Sequence, residues 1–330
     1  MATLHENLHD CREYAQRHGG KRRRCSLCGH TWSVHKRKRG RKRRRVSHSL
    51  PKMVLLDREP TGRLSQRHRC SRYALYRRVR QACEQLVQHP LDAQLLLDEA
   101  LVLVADGLWF KFQGHRWVLY NMALRPVVSE RAYSLDPVLL EGREYGRCWR
   151  QALATALAPE QRRRVCAFVT DGFRGAKAIA AANGWVLQRC HWHVLATLRS
   201  MLGARNKKIK GRKIRQSIYQ LVCEALRTSD ETRAREICRE LEGLAHHRYC
   251  HVRLRYIVCG FVKEIDDFRA YIRYPELCLP NTIGALESMH SQLRDVVSRT
   301  RTPQAVLLRI RSFLRFHPSI ICRTAKNPQK

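Results

Sequence analysis

The sequence predicts an α/β protein, and two observations carry that prediction. Two apolar runs, Leu101 to Ala105 and Val165 to Val169, each lead into an Asp-Gly pair, Asp106-Gly107 and Asp171-Gly172. This is the pattern of buried strands that end in an acid and then turn away at a glycine. The second run is followed by an Ala-rich segment, another apolar run, and then Cys190 and His193. That succession reads as strand, acid, helix, strand. With 330 residues, 44% of them hydrophobic, the chain is long enough for two or three modules, at least one with a substantial core.

Charge narrows the class of partner. The 64 Lys and Arg against 28 Asp and Glu give a formal charge of +36, too large for ordinary surface variation. It points to a polyanion, nucleic acid first. No apolar run reaches the roughly eighteen residues that span a bilayer, and no signal peptide opens the chain. A soluble intracellular protein without a membrane partner is expected. Its 14 cysteines, scattered along the chain, read as reduced core thiols with a few metal ligands.

Residues 1–50 form a basic N-terminal segment, with 13 Lys or Arg and no acid between Lys21 and Arg45. Within it, Cys25, Cys28 and Gly29 have the spacing of one half of a tetrahedral zinc site. Cys11 and a histidine, His9, are the candidates for the other half. Two incidental thiols in a basic tail are the competing reading. Lys36, Arg37, Lys38 and Arg39 open a basic arm that either tracks phosphates or is a solvated linker.

Residues 51–90 read as a helix-turn-helix. Leu64, Cys70, Tyr73, Leu75, Val79 and Cys83 are spaced to bury one side of two short helices, and Ser71 is placed to cap the second. Arg72, Arg77, Arg78 and Arg80 are left outside as DNA-contacting candidates; an amphipathic spacer is the bland alternative. Residues 95–205 read as a sheet-forming core. After the 101–105 run come Trp109 to Phe112, a polar turn at Gln113-Gly114-His115 and Trp117 to Ala123, then a helix over 145–157 that ends before Pro159.

Residues 206–278 read as an all-helical insertion. Helical periodicity covers 194–204, 212–227, 230–244 and 251–273, with a basic cluster at Lys207, Lys208, Lys210, Arg212 and Lys213. Residues 279–330 return to the core with a helix in which Ile283, Leu286 and Leu293 make an apolar stripe. Glu287 sits at the edge of that stripe, on the side of His290 and Arg294, as a partly inward acid or as their half-buried salt-bridge partner.

A turn aspartate is the ordinary reading of either Asp-Gly alone. Its recurrence at two buried strand ends argues that Asp106 and Asp171 emerge at one sheet edge if the strands are parallel neighbours. Asp106, Asp171 and Glu287 would then be the catalytic carboxylates and the ligands of Mg²⁺ or Mn²⁺ in phosphoryl transfer, since hard divalent ions prefer oxygen ligands. No GxSxG nucleophile elbow and no GxxxxGK[ST] phosphate loop occurs. Cys190 and His193 are too few for a closed zinc site and are expected to support the catalytic edge; Trp192 between them either closes the core, the favoured reading, or stacks on an exposed base.

These residues resemble the DDE transposases of insertion sequences, in particular the Mutator-like branch with a helical insertion before the final Glu. The matching pieces are VADG, VTDGFRGA, the C-x2-H motif Cys190-His191-Trp192-His193, and NTIGALESMHSQLR. The resemblance implies a ribonuclease-H-like core, a mixed sheet flanked by helices, in which the first and fourth strands lie side by side and carry the two Asp. It further implies binding to terminal inverted repeats and target DNA, metal-dependent strand cleavage and transfer, a homo-oligomer on DNA, and a cytoplasmic, nucleoid-associated location in a bacterium. The N-terminal zinc-ribbon-like and helix-turn-helix segments resemble modules that precede such cores and imply a structural Zn²⁺, although the incomplete first knuckle departs from the usual four-cysteine ribbon. A decayed or repurposed sequence-specific DNA-binding protein is the alternative; a junction-resolving nuclease is a more distant one.

Overall fold

The computed structural model describes residues 11–17, 20–33, 49–89, 91, 99–203, 210–298 and 300–325. The chain divides into two compact units, residues 1–47 and 48–330. The first is an antiparallel meander of β1 (Cys11–Arg17), β2 (Gly20–Cys25) and β3 (Thr31–Ser33). Between β2 and β3 the chain turns tightly: Gly29 N–H donates to the Cys25 carbonyl at 3.0 Å, and Cys25 N–H to that of His30 at 2.9 Å. Gly29 takes φ +69°, a conformation open to glycine at no steric cost.

The second unit begins with three helices, Ser49–Leu55, Thr61–Arg67 and Arg72–Leu86. Ser71 caps the third, its hydroxyl accepting from Ala74 N–H at 3.2 Å. Leu64, Leu75, Val79 and Cys83 are buried as the spacing predicts, but Tyr73 is 74% exposed. Leu75, Val79 and Cys83 recur every four residues and define the inward stripe, so Tyr73, two positions before Leu75, falls on the opposite face. The stripe shares its core with Leu108, Leu119, Leu293 and Ile310, so these helices pack on the sheet. Ser49–Leu55, which contributes Leu50 and Leu55, has no counterpart in the two-helix reading.

The seven strands of the main sheet run in the order β10-β6-β5-β4-β8-β9, with β7 also paired to β5. These are β4 (Leu101–Phe112), β5 (His115–Pro126), β6 (Arg131–Ser134), β7 (Val138–Glu141), β8 (Val165–Thr170), β9 (Val186–Arg189) and β10 (Ser319–Ile321). β5 is antiparallel to β4 along its whole length. β8 is parallel to β4 with Val104 opposite Val169, and β9 is parallel to β8. The sheet is therefore mixed, with β4 central.

β4 is buried on both faces, and its side chains divide by parity, as the two-residue repeat of a strand requires. Leu101, Leu103 and Ala105 join Trp149, Ile179 and Phe168 in one core, between the sheet and the helices Gly146–Ala156 and Ala176–Asn183. Val102 and Val104 join Ala167, Val169, Ile283 and Leu286 in another, beneath the helix Gly284–Val297.

The helices His191–Met201, Arg212–Arg227, Glu231–His246 and Val252–Lys263 enclose a separate core of Leu198, Ile218, Val222, Ile237, Leu241 and Val258. The single helix expected over 251–273 is broken after Lys263, leaving two short turns, Ile265–Phe268 and Ala270–Arg273. Long-range polar contacts take over there. Gln188 on β9 donates to the Phe268 carbonyl at 3.0 Å and accepts from Tyr271 N–H at 2.8 Å. Beside it the buried Arg269 guanidinium donates to the carbonyls of Ala225 at 2.7 Å and Thr228 at 2.6 Å and meets Glu231 at 3.2 Å. Arg269→Ala would orphan these acceptors and leave a cavity. A destabilisation of about 3 kcal/mol is expected by chemical denaturation.

The chain closes with helices Gly284–Val297 and Pro303–Phe316 and with β10, which adds antiparallel to β6. Among the described residues, no helix is long and apolar enough to cross a membrane.

Candidate metal centre

Strand parity places the two aspartates. Asp106 lies two residues beyond Val104 and Asp171 two beyond Val169, and Val104 and Val169 are register partners. Both acids thus emerge at one level, from neighbouring parallel strands, on the face covered by the helix that carries Glu287. The adjacency posited from the Asp-Gly echo is present.

Each acid is held differently. Asp106 is buried; its Oδ1 accepts from Gly107 N–H at 2.9 Å and its Oδ2 lies 3.3 Å from His290 Nδ1. Asp171 Oδ1 accepts from Phe173 N–H at 3.1 Å and from the Thr170 hydroxyl at 3.3 Å. The turn after it depends on Gly172, at φ +85°, where a Cβ would come within 2.0 Å of Arg189 Nε. The Arg189 side chain pairs with Glu264 and lies over the Phe268 ring at 4.6 Å. Gly172→Ala must both strain the backbone and displace Arg189, and should cost about 1–3 kcal/mol, to be measured by thermal unfolding.

Glu287 is half-buried, and its Oε1 lies 3.6 Å from His193 Nδ1. His193 joins the acids. One ring nitrogen of His193 and one oxygen from each of Asp106 and Asp171 lie within 4.8 Å of one another, and so do the ligand atoms of Cys190, His193 and Glu287. The structure therefore brings together Asp106, Asp171, Glu287, Cys190 and His193. It does not bury Trp192, which is 50% exposed and edge-on to His193 at 5.1 Å. The helix His191–Met201 turns His191 and Leu198 inward, leaving Trp192 on the open side.

Electrostatically the centre is a group of acids that repel one another. Asp106 is pushed up to about 8, first by burial and then by the charges of Asp171, Glu287 and Glu144. Glu287 and Glu144 are also raised, by burial first and by Asp171 second. Burial lowers His193 against the pull of Asp171, and lowers His290 to about 4. Cys190 is raised to about 11 by burial, and its Sγ accepts from Ile283 N–H at 3.4 Å. Among the described residues, His193 Nδ1, Glu287 Oε1 and His290 Nε2 are buried without a hydrogen-bond partner.

Sequence reasoning missed Glu144 and misplaced His290. Glu144 stands just before the helix Gly146–Ala156, accepts from Trp149 Nε1 at 2.8 Å, and occupies the space that Gly107 leaves by having no side chain. The Gly after the first acid was thus a signal of close approach as well as of a turn. His290 was expected beside Glu287 but faces Asp106.

The residues fit a hard divalent cation. Carboxylate oxygens dominate, a neutral imidazole nitrogen is available, and the mutual repulsion of the acids is the charge that a bound cation would offset. In the first unit, Cys28 N–H points to Cys25 Sγ at 3.5 Å and Cys11 is the register partner of Cys25 across β1 and β2. His9 and the arm residues Lys36, Arg37, Lys38 and Arg39 lie outside the described residues. Of the helical arginines, Arg72, Arg77 and Arg80 are exposed and Arg78 is half-buried. Arg80 pairs with Glu84 at 2.8 Å, and the Arg72 guanidinium lies against Gly62.

Comparison of the sequence with family profiles and with curated proteins gave no match.

Proposed function

We propose that the chain is a DNA transposase of the DDE type, a metal-dependent phosphoryl transferase that cuts and joins DNA strands. The observation that carries this reading is the presentation of Asp106 and Asp171 at one level by parallel neighbouring strands, with His193 beside both and Glu287 beside His193. The strand order supports a ribonuclease-H-like core. The strand β5 lies antiparallel on one side of β4, and β8 and β9, the fifth and sixth strands counted from β4, lie parallel on the other.

Asp106, Asp171 and Glu287, with the neutral His193 nitrogen, would hold Mg²⁺ or Mn²⁺. When bound, such ions activate the attacking oxygen and stabilise the leaving one in an in-line displacement. The protein's own part is positioning. Phe173 N–H and the Thr170 hydroxyl fix Asp171, His290 faces the second oxygen of Asp106, and Gly172 leaves room for Arg189 beside the turn. The net charge of +36 suits the DNA substrate, with the arginine-bearing helices as the sequence-reading element and Cys25, Cys28 and Cys11 as ligands of a structural Zn²⁺.

The test is incubation of the purified chain with Mg²⁺ and DNA carrying the sequences that flank its own gene. Cleavage at the flanks with 3′-hydroxyl ends, joining to a second DNA, and loss of both with a chelator are expected. Cleavage without preference for the flanks would favour a general nuclease. Specific binding without cleavage would favour a decayed enzyme acting as a DNA-binding protein.

A further inference from the structure

The helical segment carries a surface that the catalytic centre does not use. Tyr249, Val252 and Tyr256 are 50%, 73% and 82% exposed. Val252 and Tyr256 are four residues apart on the helix Val252–Lys263 and therefore share a face. Large apolar and aromatic side chains grouped on an exposed face mark an interaction site more often than chance.

The charge around them has one sign. The segment entering the helix Arg212–Arg227 lies against the backbone of Tyr249, because a Cβ on Gly211 would lie 2.5 Å from the Tyr249 carbonyl oxygen. Lys210, Arg212, Arg248 and Arg253 are all exposed there, and Arg248 lies over the Tyr249 ring at 4.6 Å. No Asp or Glu occurs from residue 203 to 223 or from 243 to 263. The helices Arg212–Arg227 and Val252–Lys263 both begin at this point, so the positive ends of their dipoles add to the potential. A second copy docking through the same face would set arginine against arginine. A polyanion matches the charge, and the exposed rings add what a duplex backbone cannot use: a stacking platform for unpaired bases.

We propose that this face of the helical segment binds a single-stranded stretch of nucleic acid, its bases stacking on Tyr249 and Tyr256 and its phosphates meeting Lys210, Arg212, Arg248 and Arg253. The site shares no residue with the carboxylate centre and does not depend on the catalytic reading.

The test uses the full chain with a single-stranded oligonucleotide containing 5-iodouracil, and the duplex of the same sequence, at raised salt to suppress purely ionic binding. Photo-cross-links to Tyr249 or Tyr256 are expected with the single strand. The Y249A/Y256A variant should lose about tenfold or more in single-strand affinity and less than about twofold in duplex affinity, while Y249F/Y256F retains binding. Both positions are exposed, so the variants should fold, which circular dichroism checks. Cross-links confined to other regions, unchanged single-strand affinity in the folded Y249A/Y256A variant, or equal losses for both DNAs would overturn the proposal. Asp171→Asn should keep the cross-link, so failure of catalysis and failure of this surface are read separately.

Discussion

Asp171→Asn is expected to slow DNA cleavage and joining by about a thousandfold or more, because loss of a metal-binding carboxylate removes several kcal/mol of transition-state charge stabilisation. The fold should survive. The Asp171 carboxylate receives only local hydrogen bonds, from Phe173 N–H and the Thr170 hydroxyl, and an Asn carbonyl can accept the same pair. Wild-type circular dichroism and near wild-type DNA retention in gel shifts should accompany the lost chemistry. Unchanged cleavage rates would remove Asp171 from the centre.

Asp106 should make the metal-free protein less stable as pH rises. Its carboxyl titrates at about 8 in the folded chain against an ordinary value of 3.8, so between those values the folded state holds a proton that the unfolded state has released. Below that window both states are protonated and the penalty is absent; above it both are ionised and the penalty is complete, on the order of a few kcal/mol. Glu144 and Glu287, raised for the same reasons, add with the same sign. A divalent cation reverses the trend by binding the ionised form. Melting temperatures in chelator should therefore fall from pH 5 toward about pH 8, and added Mg²⁺ or Mn²⁺ should raise them most at the alkaline end. Asp106→Asn carries no charge at any pH. It should melt higher than wild type at about pH 8 in chelator, gain little from divalent ions, and be inactive. A variant that melts lower than wild type under those conditions would contradict the burial and repulsion assigned to Asp106.

Much of this arrangement was legible in the sequence because it depends on periodicities. Two apolar runs ending in Asp-Gly specify buried strands, and the two-residue repeat of a strand then puts Asp106 with Val104 and Asp171 with Val169. The position of Glu287 beside Ile283 and Leu286 follows from the helical repeat in the same way. What was not legible depends on partners distant in the chain. Glu144 has no local pattern and is drawn in by the gap over Gly107 and by Trp149. The helix expected over 251–273 breaks because Gln188, some eighty residues earlier, supplies hydrogen bonds at Phe268 and Tyr271. The three-residue strand Ser319–Ile321 is too short to show alternation and exists because β6 offers an open edge. Tyr73 was assigned inward by a spacing that the Leu75, Val79 and Cys83 stripe excludes, and Trp192 for being a Trp, where position on the helix outweighed residue type.

The central claim is that Asp106, Asp171 and Glu287 hold a hard divalent cation. Its most direct test is Mn²⁺ binding to the full chain, followed by the paramagnetic signal of the free ion at about pH 8, where the carboxylates are most available. Mn²⁺ should bind the wild type and be displaced by excess Mg²⁺. Binding should be lost in Asp106→Asn and Asp171→Asn, weakened in Glu287→Gln, and unchanged when Cys25 and Cys28 are both replaced by Ser. Equal Mn²⁺ binding by the wild type and by the two Asn variants would contradict the account.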